Sequence, residues 1–273
     1  MKHLFTLVFF LFSVGVAFAQ YSSTKPASQS SPKVREFDVN GVAFNMVFVD
    51  GGTYNMGCTS EQGGECEDDE LPVHKVTVSS FWMGETEVTQ ALWKSVMGEE
   101  PSWGLLPDYG VGASYPVYRI TWHDCQNFIE RLNDMTGLTF RLPTEAEWEF
   151  AARGGNLSKH YKYSGSNNID EVAWYIGNSN DRIHPVKKKK PNELGLYDMS
   201  GNVWEWCAEW YEEEYYSVSP SNNPTGPSYT CTHCVHRGGS WNYDPFYSRI
   251  TNRGCTWHDE GYYNLGFRLV MVP

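Results

Sequence analysis

Apolar residues at helical spacing, each group behind a capping residue, predict three helices in the first half of the chain. The first follows Thr89 and ends at Gly98, the second follows Thr121, and the third follows Thr144 and ends at Gly154. A carboxylate stands three residues after the second and third threonines, which is the spacing of a capping box. The glycines supply the left-handed conformation that commonly ends a helix.

Strands are predicted where apolar positions alternate or cluster in short runs. The segments are 44–49, 76–81 and 265–272, and Asp50-Gly51-Gly52 after the first of them is a hairpin signal. Beyond Gly155 the chain is dominated by Gly, Asn, Ser, Tyr and Trp, with few helical patterns. Turns, side-chain hydrogen bonds, disulfides or bound ions must hold such a segment. The sequence therefore predicts one irregular α+β domain with little regular secondary structure.

The first 19 residues have the pattern of a signal peptide. Lys2 and His3 precede an apolar run over 4–16, and Ala17-Phe18-Ala19 supplies a cleavage site. Residues 20–36 are rich in Ser, Thr, Lys and Pro and are predicted to be a flexible linker, with the folded domain spanning 37–273. No second long apolar run follows, so no membrane span is predicted. We expect an exported protein, either periplasmic or extracellular.

The net charge of −12 argues against one class of partner. A nucleic-acid backbone is held by clustered Lys and Arg, and a strongly acidic chain does not favour it. We therefore expect no nucleic-acid partner.

Seven cysteines suit an oxidising compartment, where disulfides persist. An odd number leaves at least one unpaired within the chain, and Cys125, on the apolar face of the second helix, is predicted to be that free core thiol. Cys58 and Cys66 bracket a Gly-rich loop and are predicted to close it. Four cysteines remain, and they allow three disulfide connectivities, all of which stay open: Cys207, Cys231, Cys234 and Cys255. Cys231 and Cys234 form a Cys-x-x-Cys pair, for which a structural disulfide is favoured and a redox or metal role is the alternative.

Five sequence blocks resemble, in order, the signature of the formylglycine-generating enzyme (sulfatase-modifying factor) family. They are Glu87-Val88-Thr89, Arg141–Glu149, Gly201–Trp206, Arg237–Trp241 and Asn264–Arg268. The resemblance spans roughly 44–273 and implies the family fold, a compact variant of the C-type lectin fold. It does not by itself imply activity, because function depends on the site rather than the fold.

The family's oxidases carry two cysteines three and eight residues after the Ser of the Arg-Gly-Gly-Ser block, where they bind copper(I). Soft thiolates suit that ion. The matching positions here are Tyr243 and Ser248, and Cys255 is the only cysteine after Ser240. The resemblance therefore implies no catalytic residues of that kind and no copper.

The family also binds calcium beside its Gly-Asn-x-Trp-Glu block, through side-chain oxygens and backbone carbonyls. The matching positions are Asp198, Gly201, Val203 and Glu205. Two carboxylates with carbonyl oxygens suit a hard cation, so calcium is the cofactor that the resemblance implies. The alternative is that the two carboxylates only stabilise turns.

A missing cysteine pair on an intact scaffold favours a non-catalytic module that binds an extracytoplasmic protein, peptide or glycan. The family's peptide groove lies beside the cysteine positions and would here present Trp241, Tyr243, Phe246 and Tyr247. Tyr and Trp are enriched at binding hot spots. The alternatives are a formylglycine-generating oxidase with a rearranged site, or another enzyme on the same scaffold.

Overall fold

The structure, a computed structural model, describes residues 33–273. The predicted signal peptide and the first part of the predicted linker, residues 20–32, lie outside this range. The linker prediction is wrong for its last residues, because a strand begins at Val34, three residues before the expected start of the fold. No helix in the described range is long and apolar enough to cross a membrane.

Short strands and helices alternate with long irregular connections. In chain order the strands are β1 (Val34–Val39), β2 (Val42–Val49), β3 (Gly52–Met56), β4 (His74–Val78), β5 (Phe81–Gly84), β6 (Phe140–Arg141), β7 (Trp204–Trp210), β8 (His233–Arg237), β9 (Arg253–Trp257), β10 (Leu265–Phe267) and β11 (Val270–Met271). The helices are α1 (Gln90–Met97), α2 (Trp122–Thr136), α3 (Glu145–Ala152), α4 (Ile169–Val172) and α5 (Tyr215–Val218). The α+β prediction is confirmed, and the segment after Gly155 has only two four-residue helices.

The strands form three sheets. One has the order β1-β2-β5-β11-β6, the second β10-β7-β8-β9, and β3 pairs with β4 alone. The predicted single strand over 265–272 is therefore wrong: its first part, β10, runs parallel to β7, and its last part, β11, lies between β5 and β6. This segment joins the two larger sheets.

The hairpin lies elsewhere than predicted. Asp50-Gly51 connects β2 to β3, which pairs with β4 rather than β2. The tight turn is Asn40-Gly41 between the antiparallel strands β1 and β2, with both residues at positive φ. Such Asn-Gly pairs suit the right-handed twist of a hairpin. The predicted strand over 76–81 is likewise interrupted between β4 and β5.

All three predicted helices begin as expected. The hydroxyls of Thr89, Thr121 and Thr144 accept hydrogen bonds from backbone N–H groups in the first turns of α1, α2 and α3. Asp124 and Glu147 complete capping boxes on the second and third. Local signals could locate these helices because their caps are local interactions.

Both faces of the five-stranded sheet are covered. Successive strand residues point to opposite faces, so Met46 and Met271 pack with α1 and α2, whereas Val47 and Val270 pack with α3. Every residue of α3 is buried, because the irregular second half of the chain covers its other side.

Buried Arg–Glu pairs connect the signature blocks. Glu149 of α3 binds both Arg153 and Arg237, the latter from the Arg-Gly-Gly-Ser block. Glu145 binds Arg253, with 2.7 Å between its Oε1 and the Arg253 Nε. Removing one partner of such a pair leaves an uncompensated buried charge, which costs about 3–5 kcal/mol. The blocks are therefore structural connections as well as family markers.

The cysteine predictions are confirmed in part. Cys58 and Cys66 form a disulfide, and Cys125 is a buried free thiol. The pairings expected among the other four do not form within the described residues. Cys207 and Cys234 are buried, and Cys231 donates hydrogen bonds to backbone carbonyls instead.

The acidic loop around Glu67 contains a short 3-10 helix over Asp68–Glu70. Glu70 is completely buried and accepts hydrogen bonds from Arg249 and Thr251. Glu67 stays exposed and caps the helix through a capping box.

Candidate functional site

A cavity of about 290 Å³ lies at the second sheet, and its lining includes Tyr243, which the resemblance matches to the first oxidase cysteine. Aromatic rings make up much of its wall: Trp204, Tyr243, Tyr247 and Tyr262, together with the imidazole of His236. Trp204 and His236 come from the neighbouring strands β7 and β8, and the tyrosines come from the irregular segments around β9. The sheet thus supplies a fixed floor and the loops supply the rim.

The rings contact one another edge to face. The ring centroids of Tyr243 and Tyr247 are 5.0 Å apart, and that of Trp204 lies 5.7 Å from Tyr243 and 4.5 Å from His236. This is the spacing that aromatic pairs favour. Trp204 is nearly buried, whereas Tyr243 is 37% exposed at the opening. The arrangement leaves a ring-lined opening.

Two of the four predicted groove residues line this cavity and two do not. Tyr243 and Tyr247 do. Trp241 is only 4% exposed and packs against Tyr109 at 5.3 Å between ring centroids, so its prediction as a groove contact is wrong. Phe246 covers the guanidinium of Arg249 instead, at 4.1 Å. Trp241 belongs to a buried cluster with Tyr118, Ile183 and Val203, and the ring of Phe246 is used by the Arg249 contact.

Ser248, which the resemblance matches to the second oxidase cysteine, is fully buried, and its hydroxyl has no hydrogen-bond partner. A Cβ on Gly239 would lie 2.6 Å from that hydroxyl, and Gly239 has φ +75°. Only glycine fits this close approach without strain. The only thiol lining the cavity is that of Cys255, and burial raises its pKa to about 11.

Two of the predicted calcium residues, Asp198 and Glu205, belong to a buried carboxylate cluster. Asp198 and Glu205 lie beside Glu87, and all three are less than 5% exposed. One guanidinium, that of Arg268, faces the three carboxyl groups. Burial, then repulsion from the other two carboxylates, raises the pKa of Glu87, and burial raises that of Asp198 to about 6.

Free acceptor atoms remain in this cluster. The Oδ1 of Asp198 and the Oε2 of Glu87 are buried without a partner. Glu205 accepts from Arg268 through both oxygens and from the Trp148 indole through Oε2, which leaves a lone pair on Oε1. No set of three or more His, Cys, Asp or Glu side chains in residues 33–273 is placed to hold one metal ion. A calcium ion here would thus depend on backbone carbonyls, as the predicted positions Gly201 and Val203 imply. The donor chemistry fits a hard cation.

A larger open groove of about 850 Å³ lies beside the Cys58–Cys66 disulfide. Its prominent polar groups are already paired. Arg153 binds Glu61 at 2.6 Å, the Tyr54 hydroxyl donates to a backbone carbonyl of α3, and Asn156 donates to the carbonyls of the β2–β3 turn. These groups stabilise the fold, so this groove is the weaker candidate for a site.

Sequence reasoning did not single out Tyr262 or Asn252 as cavity residues. The alternation along β7 could have shown that Trp204 and Trp206 point to the same face, but which sheet face would be accessible depends on long-range pairing with β8 and β10.

Comparison with known proteins identifies the scaffold. The family model of the sulfatase-modifying factor enzyme 1-like domain matches residues 31–272. A protein of Paenibacillus barcinonensis named chaperone protein LppX is 34% identical, over 73% of this chain and 79% of its own. The formylglycine-generating enzyme of Streptomyces coelicolor is 29% identical, over 90% and 94%. A Bos taurus relative, 27% identical over 84% and 88%, is named inactive C-alpha-formylglycine-generating enzyme 2.

Two solved structures share the fold over most of the chain. Treponema denticola variable protein 1 is 31% identical with a TM-score of 0.77, covering 89% of this chain and 100% of its own. PvdO from Pseudomonas aeruginosa is 25% identical with the same TM-score and the same coverage. The predicted fold class, a formylglycine-generating-enzyme fold related to C-type lectins, is therefore confirmed. This chain belongs to the formylglycine-generating enzyme family of sulfatase-modifying factor enzyme 1-like domains.

Proposed function

We propose that this chain is an exported, non-catalytic recognition module that binds an extracytoplasmic protein, peptide or glycan through the ring-lined cavity at Tyr243. The observation that carries the proposal is the position of that ring. Tyr243 stands where the family's oxidases have a copper-binding cysteine, and it forms the exposed wall of the cavity. A large aromatic ring there supports contact rather than oxygen chemistry.

The surrounding residues support the same interpretation. Ser248 replaces the second cysteine, and Cys255 is a single thiol whose raised pKa keeps it protonated near neutral pH. Copper(I) chemistry in the family needs two thiolates, so the residues present do not fit that ion. Relatives include proteins named as enzymes, as a chaperone and as an inactive enzyme, which agrees with a scaffold that carries several roles.

Calcium has a structural role in this proposal. We propose that Asp198 and Glu205, with the carbonyls of Gly201 and Val203, hold one ion beneath β7. The ion would offset the excess of buried carboxylate charge over the single Arg268 guanidinium. Because Glu205 lies next to Trp204 on β7, the ion would also support the floor of the cavity.

Affinity capture tests the proposed function. The mature protein, immobilised, should retain a partner from envelope or medium fractions, and Tyr243→Ala should lose it. Tyr229→Ala is the matched control, because Tyr229 is an exposed tyrosine outside the cavity. The alternative of an oxidase is tested by incubating a cysteine-containing sulfatase peptide with the copper(I)-loaded protein. Mass spectrometry of the peptide then shows whether its cysteine has become an aldehyde. Aldehyde formation by the unmodified protein would contradict the proposal, as would equal capture by Tyr243→Ala.

A further inference from the structure

The polar groups facing the ring-lined cavity are mainly acceptors. Asn252 is one of the lining residues and is fully buried, and its Oδ1 has no hydrogen-bond partner. Its amide nitrogen is used, because it donates to Glu67 at 2.8 Å. A buried acceptor left without a donor is unfavourable, and a bound donor would remove that cost.

Other acceptors lie around the same space. The imidazole of His236 also lines the cavity, and burial lowers its pKa to about 3, so the ring carries no positive charge. Glu67 also lines the cavity, and the hydroxyl of the lining residue Tyr262 is already used as a donor to Glu260.

No unpaired positive charge is present among the lining residues. The only cationic side chain there is Arg253, and its nitrogens are occupied by Glu145 at 2.7 and 3.1 Å and by the Asp69 carbonyl at 2.8 Å. Aromatic faces attract cations through their negative quadrupole, most strongly at Trp and Tyr. The ligand favoured by this wall is therefore cationic and rich in N–H donors.

We propose that the cavity binds a primary ammonium or guanidinium group, the side chain of a lysine or arginine in a peptide partner. The proposal rests on the proposed recognition function and names the chemistry that the site selects. The rings of Trp204, Tyr243 and Tyr247 surround the cation, Asn252 Oδ1 accepts an N–H from it, and Glu67 neutralises its charge. The overall net charge of −12 attracts basic peptides to the same molecule.

Nuclear magnetic resonance titration of the folded domain tests this proposal. The probes are Nα-acetyl-lysinamide and Nα-acetyl-argininamide, with Nα-acetyl-norleucinamide as the neutral isostere of lysine and methyl glucoside as a glycan probe. We expect the cationic probes to shift the Trp204 indole and Asn252 side-chain amide signals. The norleucine probe should bind at least about tenfold more weakly, which matches the loss of one cation–π interaction.

Two variants locate the binding. Tyr243→Ala removes an exposed wall, and Glu67→Gln keeps the hydrogen-bonding shape while removing the charge. Each should weaken binding of the lysine probe about tenfold, whereas Glu99→Gln, which changes an exposed carboxylate just after the end of α1 and outside the cavity, should leave it unchanged. Equal binding of norleucine, preference for the glucoside, or no shift at the cavity with about 10 mM cationic probe would each overturn the proposal.

The result can be separated from that for the proposed function. If a captured partner depends on Tyr243 but no cationic probe binds, the recognition function stands and the choice of a cationic ligand is wrong. If the cationic probes bind but the partner's affinity is unchanged in Tyr243→Ala, the cavity selects cations and the recognition function lies on another surface.

Discussion

Arg268 and Glu205 form a bidentate, fully buried ion pair, with 2.6 Å from Nε to Oε2 and 2.5 Å from Nη2 to Oε1. The pair links the Asn-Leu-Gly-Phe-Arg block to the Gly-Asn-x-Trp-Glu block through the parallel contact of β10 with β7. Arg268 must also face Glu87 and Asp198, so negative charge exceeds positive charge in this part of the core. A bound divalent cation would correct that excess.

Removal of calcium should therefore lower the melting temperature, and added calcium should restore it. A ligand that binds only the folded state at a hundredfold excess over its Kd stabilises by about 2.7 kcal/mol. Asp198→Asn should remove the response to chelator, because Asp198 Oδ1 is the free carboxylate oxygen. Differential scanning fluorimetry measures the effect.

The control for this experiment is Asp134→Asn, on an exposed position of α2. It should keep the full response to chelator. A wild-type protein whose melting temperature does not change after verified removal of the ion would contradict the calcium site.

Truncation of Trp241 should destabilise the fold rather than only weaken binding. Its ring is almost fully buried with Tyr118, Ile183 and Val203, so Trp241→Ala should cost about 3–5 kcal/mol of unfolding free energy. Urea denaturation measures this loss. Trp257→Ala, at a position 46% exposed, should cost much less. Similar small losses for both would instead place Trp241 on an accessible surface, as the sequence alone suggested.

The difference between Trp241 and Tyr243 illustrates what the sequence can predict. Threonine caps, the Cys58–Cys66 loop and the family blocks are local or short-range signals, and each was located correctly. The exposure of neighbouring aromatic residues depends on which loops pack against them. Trp241 is covered by Tyr109 and Tyr263, which come from distant segments, and no pattern near Trp241 reveals this contact.

The same limit applies to strand pairing. The apolar run 265–272 was recognised, but its division between two sheets depends on β7 and β5, far away in the chain. The unpartnered Oδ1 of Asn252 likewise depends on distant residues, because the side-chain amide of Asn252 donates to Glu67 and its backbone carbonyl accepts from Arg237. The cavity could therefore be anticipated in part, through Tyr243 and Tyr247, while its floor and its acceptors required the structure.

Cys255 should react slowly with alkylating agents although the residue is exposed at the surface. Neighbouring groups partly cover its thiol, and this desolvation raises its pKa to about 11, whereas only the thiolate is nucleophilic. The alkylation rate by iodoacetamide should rise about tenfold per pH unit between roughly pH 8 and 10, where the thiolate fraction is small and proportional to hydroxide. Peptide mass spectrometry resolves this site from the other thiols. A rate at pH 7 above that of free cysteine would contradict a protonated, unreactive thiol.

The affinity of the captured partner for the Tyr243 cavity tests the central claim most directly. Titration calorimetry should compare the wild type, Tyr243→Ala and the control Tyr229→Ala, after circular dichroism has shown that all three are folded. Removing a tyrosine at a binding hot spot costs about 2 kcal/mol or more, so the Kd for Tyr243→Ala should rise at least about tenfold. The Kd for Tyr229→Ala should stay unchanged. Equal Kd values for the wild type and Tyr243→Ala would show that the ring in the oxidase cysteine position takes no part in recognition.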